Sequence, residues 1–154
     1  MLTQIAVGAL LVCVTALVQA AFMLIGFRAL QALRTRERSF SQHHATLIIM
    51  LFVLFMFFAM IVEVAIWAAT YRWLEAVPEI EDALYVSLGS FTTIGFADVQ
   101  IAEQWRVLVA IEGVNGMIIF GWATGLVIAA IQHFDVWPHR HLRAPPVPAD
   151  KSTP

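Results

Sequence analysis

The sequence has few charged residues and a single cysteine. Asp, Glu, Lys and Arg make up 13% of its 154 residues, whereas 60% of the residues are hydrophobic. Soluble domains carry about a quarter charged residues and about half apolar ones, so this chain has more apolar surface than water can hold. One cysteine excludes a disulfide framework, and a net charge of −2 does not indicate a nucleic-acid partner. The composition is that of an integral membrane protein.

Three apolar runs are long enough to cross a bilayer as helices. Residues 1–27 carry no charge, residues 45–71 contain only Glu63, and residues 106–134 contain Glu112 in their interior. A helix rises about 1.5 Å per residue, so each run exceeds a hydrocarbon core of about 30 Å. The pattern predicts an all-α, multi-pass membrane protein.

The first run has a competing interpretation as a cleaved signal peptide. Residues 18–20, Val-Gln-Ala, resemble a cleavage site. However, no positive residue precedes the run, and it continues past Ala20. Both features favour a retained N-terminal helix.

The arginines predict the orientation in the membrane. The link at residues 28–44 is rich in arginine, whereas residues 72–106 hold six acidic residues against two arginines. The positive-inside rule places the link and the tail, residues 135–154, in the cytoplasm, and the N-terminus and the acidic segment outside. The small size favours a bacterial inner membrane, and the proline-rich tail is expected to be mobile. The arginines expected to contact anionic lipid are Arg28, Arg34, Arg36 and Arg38.

Aromatic residues cluster where the acidic segment meets the second and third runs. Such residues are typical of the aromatic belt at a membrane–water interface. We therefore expect a belt near the outer boundary. Its members are Trp67, Tyr71, Trp73 and Trp105.

The acidic segment contains a short helix and a polar stretch. Pro78 and the acidic residues after it are typical of a helix start, and the helix would run to Phe91. About twelve residues span roughly 18 Å, or about half a bilayer. Non-helical backbone at membrane depth survives only where it is buried in protein or lines a water-filled cavity. The arrangement therefore implies a pore lining.

The segment Ala83–Asp98, ALYVSLGSFTTIGFAD, resembles the pore helix and selectivity filter of potassium channels, whose signature is TTVGYGD. The resemblance runs from Pro78 to Phe134. It implies a homotetramer, since each chain has one pore loop, with residues 1–27 as an extra helix. The implied pore module comprises an outer helix at 45–71, a pore helix at about 79–91, a filter at 92–98 and an inner helix at 106–134.

The resemblance also implies how the filter binds ions. Backbone carbonyls of Thr93, Ile94, Gly95 and Phe96 would replace the hydration shell of K⁺, and the Thr93 hydroxyl would add the innermost ligand. The Ile94 and Phe96 side chains would pack behind the filter, and Gly95 would permit a left-handed backbone. The filter residues are Thr92, Thr93, Ile94, Gly95, Phe96, Ala97 and Asp98.

The filter departs from the potassium-channel signature at two positions. Ala97 replaces the second glycine, and a Cβ in a left-handed conformation costs about 1–2 kcal/mol per subunit. Weak selectivity, with Na⁺ also permeant, is therefore an alternative. Phe96 replaces the filter tyrosine, and Val86 stands where its aromatic partner would lie. Asp98 retains the aspartate behind the filter, and a hydrogen bond from Tyr85 is expected.

Two carboxylates lie at membrane depth, where ionisable groups are costly and indicate a function or a partner. We predict that Glu112, helped by Glu63, supports the filter by hydrogen bonding to the pore helix or filter backbone. The alternative is that either carboxyl is protonated or meets interfacial water, with no role in conduction. On the inner helix, Asn115 is predicted to face the cavity or, equally, to form a helix–helix hydrogen bond. Gly116 as a hinge rests on the resemblance.

The sequence thus predicts a channel that conducts K⁺ passively, with no cofactor other than the permeant ion. A weakly selective cation channel and a non-conducting membrane scaffold are the alternatives. An enzyme is not expected, because no nucleophile–base pair or metal set accompanies the buried carboxylates. The histidines could make gating depend on pH, although ordinary interfacial and tail positions explain them better. These are His43, His44, His133, His139 and His141.

Overall fold

The computed structural model describes residues 1–36, 42–95 and 98–133. Within these ranges the chain is helical and contains no strand. Several predictions concern residues outside the described ranges and stay predictions. They concern Arg38, Phe96, Ala97, His139, His141 and the tail at residues 135–154.

The described helices follow the predicted order of long, long, short and long. Three of them, α1, α2 and α4, are long and apolar enough to cross a membrane. The predicted all-α, multi-pass membrane fold is therefore confirmed, with an additional helix before the helix–short helix–helix unit. The helices are α1 (Leu2–Arg36), α2 (Gln42–Trp73), α3 (Ile80–Phe91) and α4 (Arg106–His133), with a 3-10 turn at Glu103–Trp105.

The first helix is longer than its uncharged run. α1 ends at Arg36 rather than at Phe27, and α2 begins at Gln42 rather than at Ala45. Alanine, leucine, glutamine and arginine are all strong helix formers, so the arginines do not end the helix. Hydropathy identified the part of α1 that can lie in the membrane, and the helix continues beyond it.

The two ends of the bundle differ in charge. The acidic end holds residues 74–105, which connect α2 to α4; the basic end holds the end of α1 and the start of α2. The N-terminus of α1 lies at the acidic end, because Gln4 Oε1 accepts a hydrogen bond from the Val107 N–H over 3.1 Å. Both connecting stretches at the acidic end also meet, through a 3.1 Å bond from the Ala102 N–H to the Ala76 carbonyl.

The main core lies near the acidic end, where α2, α3 and α4 meet. Trp67 and Tyr71 are completely buried in it, together with Val86 and Leu108. The prediction that Trp67 and Tyr71 belong to an interfacial belt is therefore wrong. They lie four residues apart on the face of α2 that packs inward. Trp73 is 81% exposed, as a belt residue should be.

α1 is packed into the bundle through a buried polar stripe. Gln4, Thr15 and Gln19 are all buried on one side of the helix, although the helix carries no charge before Arg28. Leu11, on the same side, belongs to the main core. Gln4 and Thr15 both hydrogen bond to α4. The added helix therefore contacts α4 directly, along its half nearest the acidic end.

Candidate functional site

The short helix α3 ends inside the protein. Its 12 residues span about 18 Å, so it cannot cross a core of about 30 Å. Glu81 and Asp82 lie in its first turn, where they complement the positive end of the helix dipole. At its other end Phe91 is buried against Val64 of α2 and Ile119 of α4. The backbone that follows therefore begins within the bundle.

The backbone after α3 directs three carbonyl groups away from the helix. The N–H groups of Thr93, Ile94 and Gly95 donate to carbonyls in the last turn of α3, over 2.9, 2.9 and 3.0 Å. The described peptide bonds are trans, and a trans peptide places its C=O opposite its N–H. The oxygens of Thr92, Thr93 and Ile94 therefore point away from α3. No described backbone N–H donates to them.

The conformation of this segment alternates in φ. Thr93 has φ +61° and Gly95 has φ +69°, whereas Ile94 between them has no positive φ. The left-handed backbone predicted at Gly95 is therefore present. A positive φ is unusual for a β-branched residue and costs of order 1–3 kcal/mol. No pattern in the sequence predicts it at Thr93, whose N–H donates to the Ser90 carbonyl of α3.

The segment is exposed in a single protomer. Thr93, Ile94 and Gly95 all lie on the surface, and the Ile94 side chain is 64% exposed. The prediction that Ile94 packs behind the filter is therefore not met by contacts within its own chain. An apolar side chain this exposed, beside carbonyls without a described donor, marks a candidate interaction surface.

Asp98 follows the segment and is held by α3. Tyr85 donates the predicted hydrogen bond to Asp98 Oδ2, over 3.2 Å. Desolvation of the hydroxyl and the adjacent carboxylate both raise the pKa of Tyr85 above its ordinary value. The tyrosine therefore remains protonated and donates. This bond connects the start of the stretch that leads to α4, residues 98–105, with the middle of α3.

Glu112 lies completely buried at the junction of three helices. The Tyr71 hydroxyl of α2 donates to Glu112 Oε2, and the Ser87 hydroxyl of α3 contacts Glu112 Oε1. Ser87 Oγ also lies 2.9 Å from the carbonyl oxygen of Val64 in α2. Glu112 therefore contacts the short helix from behind, through a side chain rather than through the filter backbone. Its effect on the filter stays a prediction.

Glu63 is also completely buried, but it has no such contacts. Neither of its carboxyl oxygens has a hydrogen-bond partner among the described residues. No hydrogen bond of the Glu63 carboxyl to α3 is present among the described residues. Its supporting role therefore stays a prediction.

Asn115 faces the added helix. Its amide Nδ2 donates to Thr15 Oγ1 of α1 over 3.1 Å, and both side chains are buried. Thr15 Oγ1 in turn donates to the Leu11 carbonyl within its own helix, over 2.9 Å. This is the helix–helix hydrogen bond considered as the alternative. In this arrangement the amide does not face a cavity, and a cavity role for Asn115 is untested.

Gly116 lies where α4 meets the end of α3. A Cβ added at this position would lie 2.0 Å from the carbonyl oxygen of Phe91 and 2.8 Å from its carbonyl carbon. Because the contact is with backbone, no side-chain rotation can relieve it. Glycine at this position therefore allows the close approach of the two helices, whether or not it also acts as a hinge.

Sequence reasoning missed three of the contacting side chains. Ser87 and Thr15 were not singled out, and Tyr71 was assigned to the interface. The available signal was the requirement that a buried carboxyl or amide must find partners on neighbouring helices. That rule says a partner exists but does not say which residue provides it.

Together these features define a membrane protein with a re-entrant helix between two spanning helices. Residues 59–133 match the model of a protein family described as "Ion channel". The match takes in residues 59–73 of α2, all of α3, the segment after it, and all of α4. This module is therefore similar to an ion-channel family, in agreement with the resemblance to potassium channels. No curated protein and no solved structure matches the chain significantly.

Proposed function

We propose that the chain is one subunit of a homotetrameric, potassium-type channel that conducts cations passively. The observation that carries this proposal is the set of adjacent carbonyl oxygens of Thr92, Thr93 and Ile94, which point away from α3 without a described donor. Carbonyl oxygens can replace the hydration shell of a monovalent cation. The outer carbonyls of the proposed filter belong to residues outside the described ranges.

One chain supplies such oxygens from one side only. Surrounding an ion requires several copies about an axis, and four loops do this in potassium channels. A stripe on α4 also lacks cover in the single protomer. Its apolar members are each more than half exposed: Val114, Met117, Ile118 and Ile128. Part of this stripe would line the pore below the filter, and part would contact neighbouring subunits.

The charge distribution supports a direction for the pore. The acidic end carries most of the acidic residues of the chain, and it is proposed to face outside. Fixed negative charge near a pore mouth raises the local concentration of cations. The basic end would then face the cytoplasm of a bacterial cell, where its arginines could contact anionic lipid.

Reconstitution in liposomes tests the proposal. We expect K⁺ flux, and we expect Gly95→Ala to abolish it. An added Cβ at Gly95 meets nothing within 4 Å, so the substitution opposes the left-handed backbone without a clash in the protomer. Gly121→Ala is the matched control, because it also meets nothing within 4 Å and lies in a regular helix. Absence of both K⁺ and Na⁺ flux in folded protein would reject conduction and favour a membrane scaffold.

A weakly selective cation channel is the second candidate, because Ala97 replaces a filter glycine. Flux of both K⁺ and Na⁺ would support it. In that case Ala97→Gly should raise the ratio of K⁺ to Na⁺ flux, since it removes about 1–2 kcal/mol of strain per subunit from the filter conformation of potassium channels. An unchanged ratio would show that Ala97 does not set selectivity.

A further inference from the structure

The hydrogen bonds around Glu112 need one more proton than the ordinary ionised form supplies. Ser87 Oγ contacts both Glu112 Oε1 and the Val64 carbonyl oxygen, which is 2.9 Å away. A serine hydroxyl has one proton and can donate to only one of them, whereas its oxygen can also accept. A carbonyl can only accept, so the second proton has to come from the carboxyl.

Tyr71 supplies the remaining proton of the cluster. Its hydroxyl donates to Glu112 Oε2, which is therefore the acceptor oxygen of the carboxyl. Tyr71 and Glu112 are both completely buried, and so is Ser87. Two oxygens in hydrogen-bond contact without a proton between them would repel each other in a site that water does not reach.

We infer that Glu112 carries a proton on Oε1 and donates it to Ser87 Oγ, while Ser87 donates to the Val64 carbonyl. The four groups then form one chain of donors in a single direction: Tyr71 to Glu112, Glu112 to Ser87, and Ser87 to Val64. The chain leaves α2, crosses α4 and α3, and returns to α2. Each bond polarises the next, so the closed path holds the three helices more firmly than separate bonds would.

The assignment of the proton to Glu112 does not depend on the proposed function. Its consequence, that Glu112 is a positioning residue for the filter, deepens the proposed function and rests on it. Ser87 lies on α3 one turn before the last turn, which accepts the hydrogen bonds from Thr93, Ile94 and Gly95. A neutral acid can hold α3 in place without adding four negative charges behind the proposed filter. An ionised carboxylate would hold it less well, because it cannot donate to Ser87.

Infrared difference spectroscopy of the reconstituted protein tests the proton directly. All samples carry Glu63→Gln, because Glu63 is the other completely buried carboxyl among the described residues. We expect the carbonyl stretch of a protonated carboxylic acid at neutral pH, and its loss in Glu112→Gln. Ser87→Ala should move the band to higher frequency, because the acid loses its acceptor. If Glu63→Gln does not assemble, the wild type is compared with Glu112→Gln alone.

Two results would overturn the inference. If Glu112→Gln removes carboxylate bands and no acid band, Glu112 is ionised. An acid band that Ser87→Ala leaves unmoved would show that the proton is not donated to Ser87. As a second measure, Glu112→Gln should retain more thermal stability than Glu112→Leu, because an amide can also donate to Ser87 and accept from Tyr71. Flux in the same liposomes separates the two proposals: an acid band without flux rejects conduction alone, and flux without the band rejects the proton assignment alone.

Discussion

Some buried polar side chains pair with a side chain of a neighbouring helix, whereas Gln19 and Glu63 have no hydrogen-bond partner among the described residues. Tyr71 and Ser87 bind Glu112 near the acidic end, and Asn115 binds Thr15 further along α4. In a bilayer such groups have no solvent alternative, so a lost partner leaves a buried polar atom unpaired. The loss of stability on substituting a residue in these clusters therefore depends on which polar atom loses its hydrogen-bond partner.

The two tyrosines of the chain provide a matched comparison. Tyr71→Phe leaves the buried Glu112 Oε2 without its donor and should lower stability by about 1–3 kcal/mol. Tyr85→Phe removes a bond to Asp98 at an exposed site, where water can replace it, and should cost less. Thermal unfolding of both variants in detergent measures the difference. Equal losses would contradict the assignment of the Tyr71–Glu112 bond to the core.

The contact between α1 and α4 depends on a pair rather than on a single residue. Thr15→Val leaves the Asn115 amide buried without its acceptor and should destabilise the protein by about 1 kcal/mol. Replacing both partners, with Thr15→Val and Asn115→Leu, leaves no orphaned group and should cost less than the sum of the single changes. Unfolding of the three variants gives the coupling. Strictly additive losses would show that the hydrogen bond does not form in the membrane.

At the scale of helices, α3 packs against both α2 and α4. Its end lies against Gly116, and its middle is bound through Ser87 to Glu112. The filter segment then takes its direction from hydrogen bonds to the last turn of α3. A shift of α4 at this level is therefore expected to move the carbonyl groups of the proposed filter.

A Gly116→Ala substitution tests this dependence. The added methyl would overlap the Phe91 carbonyl, so the helices have to separate at a cost of about 1–3 kcal/mol. Gly121→Ala on the same helix meets nothing within 4 Å and should be neutral or stabilising. Thermal unfolding and K⁺ flux are measured for both. Gly116→Ala with the stability and flux of the control would show that the close approach is not needed.

Hydropathy and motif spacing predicted the order of the helices and the position of the short one. The predicted pore helix, residues 79–91, agrees with Ile80–Phe91 to within a residue. The Tyr85–Asp98 bond was predicted because the motif fixes which residues lie behind the filter. The rotation of α1, α2 and α4 about their own axes decides which face of each helix is buried. This rotation was not predictable, since long apolar helices carry little periodic signal. The partners of Glu112 and Asn115 depend on that rotation.

At the scale of the whole molecule, one protomer leaves its most distinctive surfaces uncovered. The filter segment, the Ile94 side chain and a stripe of α4 are all exposed. Large apolar side chains also face outward on the parts of α1 and α2 that lipid would cover. Lipid satisfies an apolar helix face, but it cannot satisfy backbone carbonyls, which require protein, water or ions. The segment after α3 is therefore the surface for which the proposed shared axis matters most.

Mixing intact and blocked chains tests whether four copies share one pore. If one Gly95→Ala subunit is enough to block a channel, an equal mixture leaves about one sixteenth of the tetramers without a blocked subunit. The K⁺ flux should then fall far below half of the flux of the unmixed protein. Mixing with Gly121→Ala chains should leave flux near its original level. Native mass spectrometry of the same samples should give four chains of 17.2 kDa each. The prediction fails if the flux falls in simple proportion to the fraction of blocked chains and the assemblies contain one or two copies. The carbonyls of four chains would then not share one pore.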